Sequence, residues 1–100
     1  MATLSAIMIG NSEADASGTI PTVSSLGGLA LAKNRIFAVN GNQDLCIKFG
    51  VTGVVATATN FRIPQGSTFT FDMGQANDHI DLFNPSGSTA TYWVTLLSRI

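Results

Sequence analysis

Charge is scarce in this sequence. Asp, Glu, Lys and Arg make up 11% of its 100 residues, where an ordinary globular domain carries about a quarter. Whole stretches have none: Met1 to Ser12, Gly50 to Phe61 and Leu82 to Ser98. Like-charge repulsion normally keeps soluble proteins apart, so much of this surface is expected to lie under other protein subunits. Composition alone leaves one alternative, a monomer whose neutral surface is rich in Thr, Ser and Asn. The formal net charge is -1, and the basic residues Lys33, Arg35, Lys48, Arg62 and Arg99 form no run. That distribution leaves no electrostatic footprint for nucleic acid or for an anionic membrane.

Other absences narrow the chemistry. Cys46 is the only cysteine and His79 the only histidine, which excludes an intrachain disulfide and a cysteine metal cluster. No apolar run approaches the length of a membrane-spanning helix. The opening residues faintly imitate a signal peptide, with Ala14-Asp15-Ala16 in the place of a cleavage site. However, they lack a basic leading region and Ser5 interrupts the apolar run, so no signal peptide is expected.

What is present is β-forming material. Hydrophobic residues make up 45% of the chain, and they recur in short alternating runs. A chain of this length forms one domain and buries about two-thirds of its unfolded surface. The most informative stretch is Phe61 to Asp72. Phe61 and Ile63 flank Arg62, Pro64-Gln65-Gly66-Ser67 makes a turn, and Phe69 and Phe71 alternate with Thr68, Thr70 and Asp72. This predicts a β-hairpin or a tight β-corner with one aromatic face, Phe69 and Phe71 both facing the core.

The remaining elements follow the same logic. Residues 1–20 read as an N-terminal arm: Leu4, Ile7, Met8 and Ile9 form an apolar tip ahead of a small, polar stretch. Such a segment is either a first strand of its own domain or an arm laid on a neighbour. Residues 21–100 read as the β-domain. Thr19 to Val23 reads as a short extended piece, and Leu29 to Lys33 as a strand or one helical turn, with the Leu29/Leu31 alternation favouring the strand. Strands are predicted at Arg35 to Asn40 and Asp44 to Phe49. A further short strand is expected at Val54 to Ala58, then His79 to Phe83 and Thr89 to Leu97. In the last strand Tyr92, Val94 and Leu96 share one face, while Trp93, Thr95 and Leu97 share the other. One face suits the core and the other suits a partner or a covering arm. With short strands, Gly/Pro/Asn turns and no helical period, the fold class is all-β: an antiparallel β-sandwich or jelly-roll-like barrel with an extended N-terminal arm.

No catalytic or metal-binding constellation emerges, and no cofactor is called for. Asp78-His79-Ile80-Asp81 contains a carboxylate–imidazole pair, with Asp72 and Asp81 as conceivable further ligands. Neighbours on a strand point to opposite faces, so a turn-capping Asp78 and a surface His79 are the expected reading. Cys46 alternates with core positions and has no activating motif, which predicts a packed side chain. Gly27-Gly28 reads as a turn. Tyr92 and Trp93 are adjacent, hence on opposite faces, which favours packing over a sugar-stacking platform. The candidate functional residues are therefore an interface set: Leu4, Ile7, Met8, Ile9, Trp93 and Leu97.

The order of these segments has a counterpart. Asn34-Arg35 leads an apolar strand ending at Asn40, and a second strand ends Lys48-Phe49-Gly50. Phe61-x-Ile63-Pro64-x-Gly66-x-x-Phe69, a strand containing Ile80 and a final long strand follow. From Lys33 to Ile100 this resembles small β-sandwich virion proteins of tailed bacteriophages, the group of head decoration (cement) proteins and head- or tail-fibre modules. The resemblance implies a non-enzymatic structural protein that forms a homo-oligomer, often a trimer, on the major capsid protein lattice at the virion surface. The alternative within it is a small fibre module that binds host glycan through exposed aromatics such as Trp93.

Overall fold

A computed structural model of the chain describes residues 6–8 and 16–99. Among them no helix occurs. The strands are β1 (Ala6–Met8), β2 (Ala16–Ile20), β3 (Ser24–Ser25), β4 (Leu29–Ala30), β5 (Ile36–Gly41), β6 (Leu45–Gly50), β7 (Phe61–Ile63), β8 (Thr68–Asp72), β9 (His79–Asn84) and β10 (Ala90–Arg99). They form two antiparallel five-stranded sheets packed as a β-sandwich. In the first, β1 and β2 both pair with one side of β10, followed by β5 and β8. In the second, β3 and β4 both pair with one side of β9, followed by β6 and β7. Between β2 and β10 the chain passes from sheet to sheet at every connection except β3 to β4 and β6 to β7. This winding keeps each strand's alternating face turned towards the opposite sheet.

The core follows from that alternation. Phe37 and Val39 of β5, Leu45 and Ile47 of β6, Phe71 of β8, Ile80 and Leu82 of β9, and Tyr92 and Val94 of β10 meet in one buried cluster. Leu96 and Phe49 pack on its margin. The two faces expected for the last strand are therefore observed. The stretch from Phe61 to Asp72 is a corner: β7 pairs with β6 in one sheet and β8 with β5 in the other. Ser67 donates its N–H to the Pro64 carbonyl at 3.0 Å, and Gly66 has φ +77°. That is the left-handed third position of a type II turn, which glycine adopts without strain. Phe71 stacks with Phe37 at 6.1 Å, with Phe69 at 5.7 Å and edge-on with Phe49 at 5.0 Å. Phe69 lies at the margin of the core and Phe71 inside it.

Several sequence-based expectations need adjusting. No strand forms at Val54 to Ala58; there the backbone bonds to side chains, Ala56 N–H to Asp81 and Thr57 N–H to Asn60. The strand expected over Leu29 to Lys33 is only Leu29–Ala30. Ala16–Ile20 is a strand of the first sheet, with Ile20 fully buried, so strand structure begins ahead of Pro21. Within the described residues, β1 pairs with β10 of its own chain.

Two polar side chains on β9 are fully buried, Asp81 and Asn84. Asp81 accepts hydrogen bonds from the N–H groups of Gly27 and Gly28 at 3.0 Å each, through Oδ1, and from Ala56 N–H at 2.8 Å, through Oδ2. Gly27 and Gly28 have φ +95° and +98°, a conformation that aims successive N–H groups at one anion and that a β-carbon would strain. Asn84 lies in the inward register of Ile80 and Leu82. Its Nδ2 donates to the carbonyls of Ile20, Pro21 and Ser88, and its Oδ1 accepts from Ser86 N–H and Oγ.

Asp81→Asn keeps the shape but replaces one acceptor oxygen by an NH₂ facing N–H donors. We expect a loss of about 2–4 kcal/mol, read by chemical denaturation, with faster hydrogen exchange at Gly27, Gly28 and Ala56; unchanged exchange at all three would show that the carboxylate does not hold these loops. Phe71→Ala should cost about 3–5 kcal/mol and Phe69→Ala distinctly less, because its ring is only partly buried. Equal losses would mean that the corner packs otherwise.

Candidate functional site

The outer face of the first sheet carries Trp93 and Leu97, two of the apolar groups selected from sequence. On β10, Trp93 lies opposite Asn40 of β5 and Ser17 of β2, Thr95 opposite Ala38, and Leu97 opposite Ile36. Ile36 and Ala38 are buried although they face away from the core cluster, and Thr95 is buried too. Leu97 is half-buried, and Trp93 is 37% exposed. No charged residue occurs in Ile36–Gly41 or from Ala90 to Ser98. The result is a continuous neutral strip on two adjacent strands.

The N-terminal members of the interface set divide. Ile7 and Met8 lie in β1, where they pair with Ser98 and Leu97, so the fold aligns them with the same strand that carries Trp93 and Leu97. Leu4 and Ile9 lie outside the described residues.

The second sheet is covered differently. Cys46 and Asp81 occupy outward positions on β6 and β9, yet both are fully buried. The segment from Val51 to Asn60 folds over them. Ala56 N–H reaches Asp81, and the Cys46 Sγ–H donates weakly to the Ala58 carbonyl at 3.8 Å. Cys46 is thus a packed side chain, as its alternation suggested. Val51, Val55 and Phe61 are exposed, and the Phe61 ring rests on Phe69 at 4.9 Å.

His79 and Asp78 do form a pair, which the opposite-face argument did not anticipate. Asp78 precedes β9, so its side chain is free to turn back, and Oδ1 meets His79 Nδ1 at 2.8 Å. That hydrogen bond holds the Asp78 carboxyl below its ordinary value, with smaller help from the charges of His79 and Lys33 and some opposition from burial. Among the described residues, no three His, Cys, Asp or Glu side chains converge as a metal site would need. Asp72 and Asp81 therefore do not join the pair, and Asp81 is already committed to three N–H groups.

Sequence reading missed one concavity. A hollow of about 170 Å³ is lined by Gln43, Asp44, Arg62, Gln65, Pro85 and Ser86. Asp44 Oδ1 accepts the Gln65 N–H at 2.8 Å, and Oδ2 lies 3.4 Å from the Arg62 guanidinium. Both ion-pair partners are well exposed, so this pair adds at most about 0.5 kcal/mol. The lining comes from β7 and from three turns far apart in the chain, which no local motif announces.

A folded-state carboxyl held low contributes stability above the unfolded aspartate pKa, and that contribution is lost as pH falls through the folded value. In a carboxyl-carbon NMR titration, His79→Ala should therefore move the Asp78 midpoint upward towards the ordinary value. An unmoved midpoint would remove the imidazole as its cause.

No family model and no curated protein matches this chain. Among solved structures it is similar to a de novo designed double-stranded β-helix determined by solution NMR. The TM-score is 0.59 at 12% sequence identity, over 81% of this chain and 95% of that one. At that identity the likeness concerns the fold alone.

Proposed function

We propose that this protein is a capsid decoration (cement) protein of a tailed bacteriophage, a homo-oligomer that attaches to the major capsid protein lattice and stabilises the assembled head. The observation that carries the reading is the uncharged outer face of β5 and β10, where Ile36, Ala38 and Thr95 are buried and Trp93, beside Asn40, is exposed. A neutral, partly apolar strip on a rigid sheet suits contact with another protein, and aromatic residues are favoured in such contacts. The sequence resemblance from Lys33 to Ile100 supplies the kind of partner. Attachment at several subunits at once turns weak contacts into firm binding, and a ligand that binds only the intact shell stabilises it by mass action. A position on the capsid surface and a non-catalytic role are what the resemblance would imply.

A second reading has one observation in its favour. Trp93 is exposed on a sheet face, where a small fibre module would use it to stack against a host glycan ring.

Copy number separates the two. Quantitative mass measurement of purified virions should give a count matching the capsid lattice, and the protein should raise the temperature at which heads burst. A count matching one tail would end the cement reading. Trp93→Ala should weaken shell binding at least tenfold while leaving the fold intact. Shell binding should also survive moderate salt, because few ion pairs are available to screen. Glycan binding by the isolated protein, abolished by Trp93→Ala, would favour the fibre module instead.

A further inference from the structure

A β-sandwich has edges that must be closed against uncontrolled pairing. On one edge β3 and β4 are two residues each, separated by the Gly27-Gly28 turn that Asp81 holds. β7 is three residues long, carries Arg62 at its middle and runs into Pro64. The edge formed by β1 and β2 is divided into two strands. β8 is different. It is five residues, Thr68–Asp72, paired with β5 in an unbroken register, without lysine, arginine, proline or bulge.

The hydrogen-bond parity of β8 shows what this edge presents. Met73 donates its N–H to the Arg35 carbonyl at 3.0 Å, which continues the β8–β5 register by one pair. Bonded pairs alternate along an antiparallel ladder, so Phe71 and Phe69 are the residues that bond Phe37 and Val39. The main-chain groups of Thr68 and Thr70 therefore point away from β5, towards the open edge. Both side chains are exposed.

We propose that β8 pairs antiparallel with β8 of a second copy about a two-fold axis at Thr70, joining two first sheets into one. The strand's own sequence selects this occupant. Centred on Thr70, the register sets Thr70 against Thr70 of the second copy and Phe69 beside its Phe71. Asp72 falls opposite Thr68 of the second copy, so no like charges face each other. An isologous contact of this kind closes at two copies, in place of the trimer that the resemblance implies. β7 lies on the same flank, and its exposed Phe61, resting on Phe69, adds apolar surface beside the seam. The contact does not depend on attachment to a shell.

Light scattering on the purified chain at micromolar concentration is the test. The expected mass is twice the 10.4 kDa of the chain. Thr70→Lys places two ammonium groups at the axis and should give a monomer with an unchanged far-ultraviolet spectrum. Thr70→Pro removes an N–H that β5 does not use and should also give a monomer. In the unsubstituted dimer the Thr70 amide should exchange at least tenfold more slowly than in Thr70→Lys. A monomer or a trimer from the unsubstituted chain, or a dimer that survives both substitutions, would overturn the proposal. If the dimer forms and virions lack the protein, the pairing stands and the capsid reading fails.

Discussion

The Asp81 carboxyl is fully buried on β9, opposite the exposed Lys48 of β6, and much of the second sheet is arranged around it. A buried charge is tolerated only where hydrogen bonds replace its water, and here they come from three backbone N–H groups on two separate loops. One loop is the Gly27-Gly28 turn between β3 and β4, whose left-handed backbone is what aims two donors at one oxygen. The other is Val51 to Asn60, which is thereby drawn over the sheet and seals Cys46 beneath Ala58. The same strand carries Asn84, which does for the β2–β3 and β9–β10 turns what Asp81 does for the other loops. Beside them on the same strand, Ile80 and Leu82 enter the core. β9 is thus a spine on which apolar residues fix the two layers and polar residues fix the connections. Among the described residues, no buried side-chain nitrogen or oxygen is left without a partner.

Legibility in the sequence follows the same division. Alternation made β5, β6, β8, β9 and β10 readable, because each buries one face in a common core and period two records that directly. The corner at Pro64-Gln65-Gly66-Ser67 was readable because its turn needs glycine where glycine stands. What could not be read depends on residues distant in the chain. Asp81 looks like any solvent-facing aspartate until a loop from Val51 onwards is known to lie over it. Val54 to Ala58 has the composition of a strand but no edge to join, since its donors are taken by Asp81 and Asn60. The Asp78–His79 contact arises because Asp78 lies just outside the strand, where the opposite-face rule stops. Of the candidate interface, Trp93 and Leu97 were visible as the second face of an unusually apolar last strand. The hollow beside Arg62 was not visible, because its walls come from separate turns.

Scarcity of charge links the fold to its surfaces. A protein with many lysines can protect its sheet edges cheaply by placing one on each exposed strand. This chain has five basic residues in all, and along the edges described in full, Arg62 is the only one within a strand. Its other devices are geometric: very short strands, a glycine pair, a proline directly after β7. Those devices interrupt the backbone and can act only where the core does not need a continuous strand. β8 is where the core does need one, because Phe71 and Phe69 must be held side by side against Phe37 and Phe49. Interrupting β8 would open the aromatic cluster, and the charge it carries, Asp72, stands at its end rather than at its middle. Among the described edges, the one that packing keeps continuous is the one on which the proposed pairing rests, so that pairing would follow from the demand of the core.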